Sequence, residues 1–223
     1  MSRPNSGRPK PKAEASAAGP SVGAAGPPLV VGVTGASGAA YAVRLVECLA
    51  RAGRDVWLVV SRPGRLVLVD EADMGGTAEA PDLASLWPAE VLERVTYVPA
   101  ERIDAPPASG SFGAGATVVV PCSMNSLAAL AHGLSLNLVH RAAHVALKEG
   151  RPLVVVPREM PVTAIDLENM ARLARAGGVV MPAMPAFYHR PQAVADLVNF
   201  VVAKVLDRLG IAHDLDTAWP GAR

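Results

Sequence analysis

From residue 29 onward, short runs of β-branched residues alternate with longer stretches whose apolar positions recur at helical spacing. The apolar runs at 29–33, 56–60, 117–120, 153–156 and 178–181 predict strands, with 95–98 a weaker sixth. Residues 39–51, 126–131, 138–149, 165–176 and 193–209 repeat apolar positions at helical intervals and predict helices. Sustained alternation of this kind predicts an α/β protein of the Rossmann-like (flavodoxin-like) three-layer type, with a mostly parallel sheet covered on both faces. Residues 1–28 are a Pro, Gly, Ala and Ser mixture that cannot bury enough apolar area to offset its ordering entropy. They are expected to be a disordered tail, leaving 29–223 as one domain.

Composition narrows the class. A hydrophobic fraction of 51% with 18% charged residues in 223 residues suits one compact domain with a large core. With 21 Lys plus Arg against 20 Asp plus Glu, no charge excess draws the chain to nucleic acid or to an anionic membrane. No stretch has the roughly 18 uninterrupted apolar residues of a membrane span, and the tail lacks the apolar core of a secretory signal. Cys48 and Cys122 stand far apart in apolar or glycine-rich company, so no disulfide framework is indicated and a cytoplasmic location is expected. His140 and His144 have a spacing that zinc sites use, but the residues between them supply no base and no third ligand is evident. They read as solvated helix histidines, with no metal expected.

The chemistry sits where the strands end. There the sequence turns small, polar or proline-rich: Thr34-Gly35-Ala36-Ser37-Gly38, Ser61-Arg62, Pro121-Cys122-Ser123-Met124-Asn125-Ser126, Pro157-Arg158-Glu159-Met160-Pro161, and Pro182 through Pro191. In an open α/β sheet the ligand crevice lies outside the carboxyl ends of the strands, so these loops are expected to converge on one site. The Gly35 loop lets backbone N–H groups and a helix dipole approach an anion or a flavin edge, although a plain strand-to-helix turn has the same letters. Dinucleotide-dependent dehydrogenases share the motif but generally add a Tyr-x-x-x-Lys pair. Here the residues four after Tyr41, Tyr97 and Tyr188 are Leu45, Glu101 and Gln192. The hydroxyls and amide of Ser123, Asn125 and Ser126 suit helix capping and ligand binding alike. Arg158-Glu159, bracketed by Pro157 and Pro161, reads as a charge pair held at the crevice or as a surface ion pair. In Phe187-Tyr188-His189-Arg190-Pro191 the prolines stiffen the loop; Phe187 suits core packing, and the phenol of Tyr188 makes it the better ligand candidate.

Taken in order, several stretches resemble the flavin prenyltransferase (UbiX) family from about residue 29 to 219. They are Val33-Thr34-Gly35-Ala36-Ser37-Gly38-Ala39, Ala105-Pro106-Pro107-Ala108-Ser109-Gly110-Ser111, Arg141-Ala142-Ala143, Leu147-Lys148-Glu149, Arg151-Pro152-Leu153-Val154, Pro157-Arg158-Glu159 and Phe187-Tyr188-His189. The resemblance implies a subunit, usually part of a dodecamer, that binds FMN between subunits without a metal. It implies transfer of a dimethylallyl group from dimethylallyl phosphate to N5 and C6 of reduced FMN, the prenylated FMN then serving a separate UbiD-type decarboxylase. By position, Gly35, Ala36, Ser37, Ser61, Ser123, Met124, Asn125, Ser126 and Arg158 match the family's FMN-contacting residues. Arg141, Lys148, Glu159, Tyr188 and Lys204 match those around the prenyl phosphate. Ser37 and Glu71, with Glu159, match the positions tied to catalysis, and Trp219 matches an aromatic that covers the site.

The chain departs from the pattern at Lys204, where relatives often carry Arg, and at Ile103 or Asp104, where some place an aromatic. A lysine keeps the charge but cannot grip phosphate bidentately. Positive groups on a leaving phosphate and a dry apolar wall are what ionisation of an allyl phosphate requires, and no aspartate-rich metal motif accompanies them. The alternatives are an FMN-dependent cysteine decarboxylase, whose Pro-x-Met-Asn-x-x-Met-Trp clamp is absent, and a non-catalytic FMN-binding accessory subunit, which has no use for Lys148, Glu159 and Tyr188 together. A monophosphate or a diphosphate donor both remain open.

Overall fold

The computed structural model describes residues 26–215. In chain order the elements are β1 (Leu29–Val33), α1 (Ala39–Arg51), β2 (Val56–Val60), α2 (Arg62–Ala72), β3 (Gly75–Gly76), β4 (Pro81–Asp82), α3 (Ala89–Leu92) and β5 (Val95–Pro99). There follow β6 (Ala116–Cys122), α4 (Met124–Ala131), α5 (Leu138–Lys148), β7 (Leu153–Pro157), α6 (Ala164–Arg175), β8 (Val179–Val180) and α7 (Val194–Leu209). Six strands form one sheet in the order β5-β2-β1-β6-β7-β8, every pair parallel, while β3 and β4 make a separate antiparallel hairpin. This is the predicted three-layer α/β architecture.

The strands of the sheet centre are buried throughout, because helices cover both faces and adjacent residues point to opposite ones. Val31 and Val118 pack with Leu45, Leu49, Val202 and Leu206 beneath α1 and α7. Their neighbours Val30 and Val119 pack with Leu127, Val139 and Leu173 beneath α4, α5 and α6. The chain leaves β1 toward β2 and leaves β6 toward β7, in opposite directions along the sheet. The carboxyl ends of β1 and β6 therefore form the topological switch point, where two loops diverge and open a crevice.

Helix α2 does not show in the periodicity because Arg62-Pro63-Gly64 reads as a turn. Proline in a first helical turn loses no hydrogen bond, and the Ser61 side chain accepts from Gly64 N at 3.1 Å to start the helix. Gly64 is required there, since a Cβ would stand 2.6 Å from the Val33 carbonyl oxygen. The last sheet strand shrinks to Val179–Val180, and β6 extends at both ends. Just before β1, the Pro27 carbonyl accepts from Arg54 and the Pro28 carbonyl from Gly115 N at 2.8 Å.

Candidate functional site at the switch point

Thr34 joins the two diverging loops. Its hydroxyl donates to the Pro121 carbonyl at 2.9 Å and accepts from Ser123 N at 2.8 Å, while Thr34 N also donates to Pro121 O. The loop after β1 and the loop after β6 thus form one rigid lip. Thr34 was legible only as a strand-end residue; its partners are 87 and 89 positions away.

On the β1 side, Gly35 lies against Pro63, and a Cβ there would approach the proline Cβ to 2.4 Å. The loop and the start of α2 therefore fit only without a side chain at 35. Glu71, at the far end of α2, reaches back to the N-terminus of α1. One carboxylate oxygen accepts from Gly38 N at 2.7 Å and from Ala39 N at 3.1 Å. The protein's own carboxylate thus satisfies those amides, which are not available to a ligand. Burial raises the Glu71 pKa, but hydrogen bonds from the Gly38 amide, the Ser37 hydroxyl and the Ala39 amide, with the charge of Arg158, outweigh it and leave it below the ordinary value. Ser37 and Arg158 thus both act on the Glu71 carboxylate. Arg158 also acts on Tyr41, whose phenol is raised by burial and partly restored by that charge. Beside Glu71, α1 and α7 leave an open groove of about 540 Å³ lined by Ala40, Val43, Arg44, Val194 and Asn199.

The serine candidates at the strand ends are helix caps. Ser61 caps α2, and Ser123 caps α4 by accepting from Ser126 N at 3.3 Å. An accepting hydroxyl keeps its own hydrogen for another partner, so capping and ligand binding are compatible at Ser61, whereas Ser123 gives its hydrogen to Ser126 Oγ at 3.2 Å. Asn125 is exposed, Met124 half-buried and Ser126 buried. The Arg158 amide donates to the Cys122 carbonyl at 3.3 Å, which ties the β7 loop to the β6 loop; Glu159 stands exposed next to it. His140 overturns the expectation of solvated helix histidines. It is 4% exposed, because α5 turns that face inward, and its Nε2 lies 3.0 Å from Ser126 Oγ.

The candidates for the prenyl phosphate fall into two groups. Tyr188 and Lys204 meet around Phe200: the tyrosine ring lies edge-on at 5.7 Å, and Lys204 Nζ is 5.8 Å from the ring centroid. His189 stacks on the same ring at 5.4 Å. Lys204 also pairs with Asp207 at 3.2 Å. Phe200 was legible only as an apolar position of α7. Arg141 and Lys148 lie across the sheet on α5. Arg141 Nε donates to the Ala108 carbonyl at 2.9 Å, pinning the Pro106–Ala108 turn. Lys148 ends α5 beside the start of β7 and pairs with Glu149 at 2.6 Å, next to Gly110. Helix α5 runs antiparallel to the strands, so Lys148 stands at the edge where strands begin, opposite the crevice. Trp219 lies outside the described residues. No group of acidic, histidine or cysteine side chains among the described residues is arranged to hold a metal.

The fold and this lip define a doubly wound α/β protein with its ligand crevice at the switch point, and a family model described as Flavoprotein matches residues 21–206. The flavin prenyltransferase UbiX of Pseudomonas aeruginosa is 43% identical over 194 residues, 86% of this chain and 93% of that protein. A dodecameric FMN-dependent UbiX-like decarboxylase from Escherichia coli superimposes with a TM-score of 0.76 at 41% identity, over 86% of this chain and 99% of that one. AnUbiX (PadA1), solved with FMN and dimethylallyl pyrophosphate, gives 0.78 at 34% identity over 88% and 99%. The chain belongs to the flavin prenyltransferase UbiX family.

Proposed function

We propose that this protein transfers a dimethylallyl group from dimethylallyl phosphate to N5 and C6 of reduced FMN, and that the prenylated FMN leaves for a separate UbiD-type decarboxylase. The observation that carries the reading is the Thr34-tied lip, with Ser37, Glu71 and Arg158 gathered beside it at the switch point. The residues fit a flavin: Gly35 and Ala36 keep the backbone approachable, Ser61, Ser123 and Ser126 hold hydroxyls at the strand ends, and Arg158 supplies a cation. Reduced FMN brings the electron-rich N5 and C6.

The chain's own part is to take the leaving phosphate and to handle protons. As the allylic C–O bond breaks, its electron pair goes to the phosphate, which Lys204, Arg141 and Lys148 stabilise as cations and Tyr188 as a hydrogen-bond donor. Glu71 is ionised near neutrality and touches Ser37, a pair suited to holding a proton near the flavin. Glu159 is the proposed acid–base group on the phosphate side. Lys148 stands away from Tyr188 and Lys204 within one chain, so a complete site takes it from a neighbouring subunit. A dodecamer, as in the Escherichia coli relative, supplies such neighbours. A reducing cytoplasm is the proposed compartment for Cys48 and Cys122, both free. No helix among the described residues is long and apolar enough to cross a membrane.

The test is anaerobic incubation with FMN, a reductant and dimethylallyl phosphate, followed by mass spectrometry of the extracted flavin. A gain of one dimethylallyl unit supports the reading, and recovery of unmodified FMN alone overturns it. Parallel incubation with the diphosphate identifies the preferred donor.

A further inference from the structure

Behind the lip, a chain of polar groups runs from the crevice into the core. In this structure Ser123 Oγ donates to Ser126 Oγ at 3.2 Å, and Ser126 Oγ lies 3.0 Å from His140 Nε2. Ser123 is half-buried at the crevice, whereas Ser126 is 6% and His140 4% exposed. The other ring nitrogen, Nδ1, is buried with no protein partner. Burial holds the imidazole pKa below its ordinary value, so the ring is neutral near neutrality and carries one hydrogen.

The hydrogens can be counted. Two hydroxyls and one neutral imidazole carry one each, but only two hydrogen bonds link the three groups, so one hydrogen has no acceptor within the chain. With Ser123 donating inward, as it does in this structure, the surplus is a buried Nδ1–H, an unmade hydrogen bond that is expensive in the core. With the polarity reversed, His140 Nε2–H donates to Ser126, Ser126 donates to Ser123, and Ser123 turns its hydrogen into the crevice. An acceptor there gives every hydrogen a partner and leaves only an acceptor lone pair bare at Nδ1. The Thr34 hydroxyl donates to Pro121 O and accepts from Ser123 N, and the Ser123 hydroxyl makes no hydrogen bond to it.

We propose that His140 is a positioning residue for the flavin: when FMN binds, His140, acting through Ser126, reverses the chain and turns the Ser123 hydroxyl from a donor to Ser126 into a donor to an acceptor oxygen of FMN. The proposal rests on the reading of the Ser123 loop as flavin-contacting. Sequence alone hides it, because His140 lies on α5, 14 residues beyond Ser126, and reads as an exposed helical position.

FMN affinity, measured by equilibrium dialysis on the whole assembly, tests the proposal alongside the melting temperature of each flavin-free variant. His140→Phe and Ser126→Ala are each expected to weaken FMN about three- to tenfold, the range of one neutral hydrogen bond. The double variant is expected to be no weaker than the single ones within about twofold, because both changes break the same chain. His140→Gln, whose amide N–H can take the place of Nε2–H, is expected to restore affinity. Unchanged FMN affinity in His140→Phe, or losses that multiply in the double variant, overturns the proposal, and a lowered melting temperature with intact affinity makes His140 purely structural. If His140→Phe does not fold, nitrogen spectra of isotope-labelled histidine in the wild-type protein distinguish the two polarities. A ring hydrogen on Nε2 with FMN bound supports the proposal, and one on Nδ1 refutes it. Failure of the wild-type protein to bind FMN at all sinks the flavin reading itself, a result distinct from a silent His140.

Discussion

Removing the Glu71 carboxylate separates a structural from a chemical contribution at the site. It is the link between the end of α2 and the start of α1, accepting from Gly38 N at 2.7 Å and Ala39 N at 3.1 Å. Loss of a helix cap costs about 0.5–2 kcal/mol, and a favourable charge at a helix N-terminus adds about 0.3–1 kcal/mol. The side chain is exposed and screened, so about 1–2 kcal/mol is expected for Glu71→Ala. About half of that is expected for Glu71→Gln, whose amide oxygen still accepts both N–H groups without the charge. In a domain of this size those losses lower Tm by about 2–8 °C for Ala. Circular dichroism at a fixed protein concentration measures this, since assembly makes Tm depend on concentration. The pH dependence has a defined sign. The folded-state pKa lies below the ordinary value, so the stabilisation is present above the ordinary glutamate range and is lost as pH falls through the folded value. The stability gap between wild type and Glu71→Gln is therefore full at pH 7 and closes on acidification. Equal Tm for Glu71→Ala and wild type at pH 7, or a gap that widens in acid, refutes the cap. If Glu71 also handles a proton, Glu71→Gln slows prenyl transfer by more than its small change in Tm explains.

Lys204→Ala is expected to weaken use of dimethylallyl phosphate about ten- to a hundredfold with FMN affinity nearly unchanged, and Lys204→Arg to retain or improve it; steady-state kinetics and dialysis check both. Gly35→Ala forces a Cβ to within 2.4 Å of the Pro63 Cβ and is expected to destabilise by about 1–3 kcal/mol and to weaken FMN, with Pro63→Ala relieving part of the loss in Tm. Deleting residues 1–25 is expected to leave Tm unchanged, whereas deleting 1–28 also removes the carbonyls that receive Arg54 and Gly115 N and lowers it. Co-expressed Lys148→Ala and Lys204→Ala chains are expected to regain up to about a quarter of wild-type turnover if each site draws these lysines from two subunits, and none if one chain supplies both.

The sequence alone determined the fold class, most elements and the part of the molecule where chemistry belongs. Apolar runs of five or so residues followed by small polar loops are local features, and a parallel sheet buried on both faces imposes them strand by strand. Hence 29–33, 56–60 and 39–51 agree with the structure to the residue. Resemblance by position assigns Ser37, Glu71 and Arg158 to one site, and in the structure Ser37 and Arg158 both act on the Glu71 carboxylate. What remained hidden depends on contacts between distant positions. Thr34 becomes the tie of the lip only because the strand order sets β1 beside β6. His140 becomes a buried partner of Ser126 only because α4 and α5 pack on the same face. Helix α2 was masked by a proline and a glycine whose meaning is fixed by Ser61 and by the Val33 carbonyl, neither visible in a helical repeat. Lys148 and Tyr188 share one family role, yet the chain sets them at opposite edges of the sheet. Which side chains share a site is decided by tertiary geometry, because sheet order and the faces that helices cover, not separation along the chain, set the distances between functional groups.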